Sequence, residues 1–171
     1  MIIEERVERS QYVKLITWIV SFIILMAGIV FPVLILWVNQ DMMSKVIGAS
    51  VLCLIFFTLI FTVAYQPRKL ILSETHIIME RILGQVYISY SDITDISLYH
   101  RENVAEIRIF GIGGLGGYIG KFYNSKIGFY TAYVGDYSQA FLIKINNRVK
   151  YVMSCRHAEK IVEEVKSRLK Q

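Results

Sequence analysis

The chain has 171 residues and a formal net charge of +5, with 54% hydrophobic against 19% charged residues. Two cysteines provide no disulfide framework. The 19 Lys and Arg are scattered without a recognition-helix pattern, which excludes nucleic acid as a partner.

In chain order, residues 1–14 form a short polar segment, expected in the cytoplasm, with three acids balancing Arg6, Arg9 and Lys14. Two runs free of charge follow, at 15–38 and 46–65. Their 24 and 20 residues correspond to about 36 and 30 Å of helix, enough to cross a hydrocarbon core of about 30 Å. A connection as short as 39–45 implies an antiparallel helical hairpin. The first run is too long for a signal peptide and no small-residue cleavage site follows it. Arg6, Arg9 and Lys14 before the first run, and Arg68 and Lys69 after the second, outnumber Lys45 in the turn. The positive-inside rule therefore places both termini in the cytoplasm. Pro32 is expected to kink the first helix or break its ladder. Because neither run contains an ionisable Asp, Glu, Lys, Arg or His, an anchor is expected rather than a transport path. Ala27, Gly28, Ser44 and Gly48 offer points of close helix approach.

From Gln66 onward the composition changes to short alternating runs, giving a domain over 66–171 with 15 Lys and Arg against 10 Asp and Glu. Strands are expected at 69–72, 76–82, 85–90, 93–99, 105–110, 127–134, 140–146 and 149–153, separated by turn residues such as Gly84 and the pair Asn146 and Asn147. Ala158, Ile161, Val162, Val165 and Leu169 then recur at helical spacing. This predicts a closing amphipathic helix with Ser154 as its N-cap.

The run Gly111-Ile112-Gly113-Gly114-Leu115-Gly116 matches G-x-G-x-x-G after a strand, with Asp136 twenty residues further on. A dinucleotide site needs a helix N-terminus next, whereas here glycine and aromatic residues continue into another strand. Gly120-Lys121 fails as a P-loop, because Phe122 stands where Ser or Thr is needed. The residues that remain, Tyr118, Lys121, Phe122, Tyr123 and Lys126, form a candidate loop for binding lipid or a partner. His76, His100 and His157 are dispersed singly, without zinc-ligand spacing, and no nucleophile–base motif can be assembled. No catalytic residue, cofactor or metal site is expected; an enzyme of unknown class is the third reading.

The stretch Val86 to Ile93 followed by Ile96, the run Gly111 to Gly120, the strand around Tyr130 and Tyr133, the pair Lys150-Tyr151 and the terminal helix together resemble the bacterial pleckstrin-homology-like domain family. The resemblance covers roughly 68–170. It implies a bent antiparallel barrel of about seven strands plugged by the C-terminal helix, behind a two-helix anchor in the bacterial plasma membrane. It also implies a binding or assembly module without catalytic residues. Eukaryotic domains of this fold bind phosphoinositides through cations between their first two strands. The equivalent turn here, Ser73-Glu74-Thr75, carries an acid instead. The leading expectation is a scaffold for a protein partner or for self-association. The alternative is recognition of anionic headgroups through the glycine-rich loop.

Overall fold

Ser10 begins the first helix, its hydroxyl accepting from the Val13 N–H at 3.2 Å. This cap draws the polar residues Gln11 to Lys14 into α1 (Gln11–Val38), which therefore starts before the apolar run does. Asp41 caps α2 (Met42–Ala64) in the same way, accepting from Ser44 N at 3.0 Å. The computed structural model describes residues 2–38, 41–101, 106–146 and 148–170, so the expected positions Asn39, Ala105 and Asn147 lie outside the described residues. α1 continues through Pro32 without an interruption in its helical assignment. Gly28 and Gly48 are both buried. A Cβ on Gly28 would meet Ile55 at 2.9 Å, and one on Gly48 would lie 4.0 Å from Pro32, so both glycines face the opposite helix. Both helices are long and apolar enough to cross a membrane.

Ten strands follow the pattern of apolar alternation among the described residues. They are β1 (Ile3–Arg6), β2 (Pro67–Leu72), β3 (His76–Arg81), β4 (Gln85–Ser89), β5 (Ile93–Leu98), β6 (Glu106–Gly113), β7 (Tyr118–Asn124), β8 (Gly128–Val134), β9 (Ala140–Ile145) and β10 (Val149–Ser154). One sheet has the order β1-β2-β3-β4 and the other β5-β9-β10-β8-β7-β6. The expected barrel of about seven strands is therefore not closed. The outer edge of β2, where a closing strand would pair, is taken by β1 from in front of the helices, with Ile3 opposite Leu72 and Arg6 opposite Lys69. The sheet is also not wholly antiparallel, since β8 and β10 run parallel.

The sheets face each other across a core containing Leu70, Leu72, Ile77 and Met79 from one, and Ile96, Phe141, Ile143 and Met153 from the other. α3 (Ala158–Leu169) inserts Ile161, Val162 and Val165 into it, and Ile3 and Val7 pack alongside. Ser154 does not cap α3. It ends β10 and its hydroxyl accepts from Gly135 N at 2.8 Å, while His157 occupies the cap position without a side-chain bond. The opposite face of the six-stranded sheet carries a second, largely aromatic cluster with Phe122, Tyr130, Val134, Tyr137 and Val152.

Candidate functional site

The five expected loop residues do not form a loop. Tyr118 to Asn124 is β7, and the glycine-rich connection is only the segment between Gly113 and Tyr118. Phe122 is 3% exposed in the aromatic cluster, which removes it from any surface site. Tyr118 is half-buried, its ring 4.8 Å from that of Tyr137. Tyr123 packs on Phe129 with centroids 5.0 Å apart. Lys121 and Lys126 are exposed, the first on β7 and the second in the β7–β8 turn.

What the glycine-rich segment touches is α1. Thr17 Oγ1 donates to Val13 O at 2.6 Å and accepts from Gly116 N at 2.8 Å. Gly116 has φ +74 and lies so close to Gln66 that a Cβ would stand 2.0 Å from its amide nitrogen. Arg9 in turn donates to Gln66 Oε1 at 2.6 Å, and Ser10 N to Gly135 O at 3.2 Å. The Gly116 amide, which an incoming anion would need, is thus engaged with the chain's own hairpin, and the Gly114 amide with Gly117 O at 2.9 Å. The effect is a clamp, in which the domain grips the open end of the hairpin, where α1 begins and α2 ends.

Beneath Tyr118 lies an ionic group with a buried carboxylate. The Glu106 carboxylate accepts from the Tyr130 hydroxyl and, at 2.8 Å, from the Tyr137 hydroxyl, and it pairs with Arg101 at 2.6 Å. The Arg101 guanidinium lies 5.1 Å from the Tyr118 ring centroid and 4.7 Å from that of Tyr137. Burial, and then the Glu106 charge, hold the Tyr137 phenol above its ordinary range. Through Glu106 this group ties β6 to Tyr130 on β8 and to Tyr137 beyond it. Among the described residues, no group of three or more His, Cys, Asp or Glu is placed to hold a metal.

The exposed apolar surface continues the core-side face of the six-stranded sheet, beyond Tyr133 and Tyr151, where the core no longer covers it. In register, Phe110 opposes Lys121 and Lys121 opposes Thr131, while Ile107 opposes Tyr123 and Tyr123 opposes Phe129. Ile107, Ile109, Phe110, Phe129 and Val149 are 45–69% exposed. Lys121, Arg148 and Lys150 line the same groove. β6 bonds only to β7, so its outer edge is free of any strand among the described residues. A row of open backbone groups beside apolar and basic side chains suits an extended segment of another chain. Sequence reasoning missed this surface, although the alternation Ile107, Ile109 within a strand was its available signal.

The family model for the bacterial PH domain matches residues 68–169. This chain belongs to the bacterial PH domain family. Comparison with curated proteins and with solved structures finds no match. In this bacterial PH domain the strands that precede α3 carry the open face, and the matched region begins just after the hairpin, leaving β1 outside it.

The core of the bacterial PH domain also sets an alkaline limit. Burial, and then the Glu5 carboxylate on β1, push the Cys155 thiol from 9.0 up to about 12. Between these values the unfolded thiol has lost its proton and the folded one keeps it, so stability falls as pH rises. The tyrosines with raised values, Tyr137 among them, join only above their ordinary 10.0. Cys155→Ala is expected to flatten the slope of unfolding free energy between about pH 9 and 10. An unchanged slope in denaturant titrations would contradict the assignment.

Proposed function

We propose that this protein is a non-enzymatic binding module, anchored in the plasma membrane by its hairpin, that holds its PH domain against the cytoplasmic leaflet and offers the open sheet face to a protein partner. PH-like domains are generally non-catalytic binding modules, and the exposed apolar and basic face is the observation that carries this reading. Only 12% and 11% of the two apolar windows is buried, whereas the core helix of a soluble protein is mostly buried. Trp18 and Trp37 are 77% and 84% exposed. Their 19-residue separation corresponds to about 28 Å of helix, close to the spacing of aromatic belts at two interfaces. Loss of α1 as a signal sequence would also strip β1 from its sheet, which favours a retained anchor.

The two cations expected to meet headgroups favour the protein partner instead. The glycine-rich end of β7 touches Thr17, and Lys121 and Lys126 lie progressively further along the strand and in the turn at its other end. At about 3.3 Å per residue, Lys126 is beyond a Debye length of about 8 Å from that end. Lys121 and Arg148 beside this face oppose pairing of two identical copies through it and suit an acidic partner. A photo-cross-linker at Ile109 in the full-length protein, in native membranes, tests this. We expect one discrete adduct with a different, acidic protein, lost in Lys121→Glu/Arg148→Glu. Adducts with lipid alone, or none, would contradict the proposal.

A further inference from the structure

Resting on the membrane-anchored reading, we propose that the β3–β4 turn is a third membrane contact, inserting Ile82 and Leu83 into the interfacial layer of the bilayer beside α2. Turns draw Gly, Asn, Asp and Ser, which tolerate water and unusual backbone angles. This one has an aliphatic pair at its tip, 50% and 60% exposed, followed by Gly84 at φ +80. Its position is fixed by two observations. Pro67 lies opposite Arg81 in register, so Ile82 and Leu83 extend past the start of β2 and back alongside the helix that precedes it. Leu83 N donates to the Ala64 carbonyl at 2.7 Å, satisfying one of the acceptors that a helix C-terminus leaves open.

The backbone of Leu83 is therefore at the level of the last turn of α2. Arg81 reinforces that position, with its guanidinium 5.1 Å from the Tyr65 ring centroid and 5.6 Å from that of Tyr133. Tyr65 follows the apolar helix directly, where an amphipathic ring belongs at a membrane–water boundary. Two aliphatic side chains at that depth meet lipid, with the Arg81 charge held back among the rings. The hairpin and the turn then contact the leaflet at separate points, which restrains the domain from swinging about its tether.

The test places an environment-sensitive fluorophore on single cysteines of the full-length chain in liposomes of mixed neutral and anionic lipid. Native Cys53, exposed midway along α2, reports the anchor. Leu83→Cys and Ile82→Cys report the turn and Glu74→Cys the opposite, water-facing turn, all in a Cys53→Ala background; Cys155 is buried and stays unlabelled. We expect the labels at 82 and 83 to be quenched by shallow nitroxide lipids and to lose the iodide quenching seen at 74. Iodide quenching at 82 and 83 equal to that at 74, with Cys53 in lipid, overturns the inference and leaves the anchor intact. Protection from both quenchers means that protein covers the turn, and also overturns it. If Cys53 itself is quenched by iodide, the anchored reading fails, and the inference with it.

Discussion

Deleting residues 2–8 from the full-length protein is expected to destabilise the PH domain by about 4 kcal/mol, the sum of two partly buried aliphatic side chains and several ladder bonds. β1 lies outside the matched family region, yet Ile3 and Val7 pack on the main core. Its backbone pairs with β2 over four residues, and bonds run on from Val7 N to Arg68 O at 2.9 Å and from Arg156 N to Arg6 O at 2.9 Å. The exposed ion pairs of the segment, Lys69 with Glu4 and Arg156 with Glu8, add little. The deletion would also leave β2 as an open edge prone to pairing with other chains. Gly135→Val isolates the effect without removing any residue of β1, because a Cβ at Gly135 would meet Glu8 O at 2.2 Å and push the segment away. Denaturant unfolding of both variants measures the loss. Unaltered midpoints would mean that β1 is dispensable and the clamp immaterial.

Gly120→Ala is expected to destabilise the domain by about 3 kcal/mol, combining backbone strain with the lost pairing of one strand. Gly111 and Gly120 face each other across β6 and β7 with φ of +123° and +124°, a region that side chains avoid. A Cβ on Gly120 would stand 2.3 Å from Phe110 O and 2.8 Å from Gly111 Cα, both backbone atoms with no rotamer to escape through. Relief requires β6 to move away from β7. That would separate Glu106 from Tyr130 and Tyr137 and dismantle the open face, so partner binding should be lost together with stability. Unfolding curves and proteolytic nicking within β6 read the two effects. A variant as stable and as resistant as the parent would contradict the close pairing of these two strands.

The two helices are legible in the sequence because two long runs without a charge have the length and composition of membrane spans. The order of strands, glycine-rich run and closing helix carries the resemblance to bacterial PH-like domains, which the family model bears out over 68–169. Helix starts differ from the edges of the apolar runs because Ser10 and Asp41 draw polar residues into the first turns. β1 is hidden for a different reason. Ile3 to Arg6 is too short to announce a strand, and its partner Leu72 to Lys69 is reached only after both helices, so the pairing is purely tertiary. β7 reads as loop because its glycine looks like chain freedom in sequence, while in the structure Gly120 permits close approach to Gly111. Ser154 resembles a cap by position alone, yet the Gly135 amide competes for its hydroxyl. The candidate loop fails on the same point as β7: Phe122 alternates inward along a strand whose pattern the glycines interrupt.

The most direct measurement of the central claim is sidedness. Single cysteines at Met42, at the closed end of the hairpin, and at Glu74 in the domain are exposed positions suited to a membrane-impermeant maleimide, in a Cys53→Ala background. We predict that Met42→Cys reacts in intact spheroplasts and Glu74→Cys only in inverted vesicles. Labelling of both positions from the same side would contradict a domain clamped to a membrane-spanning hairpin.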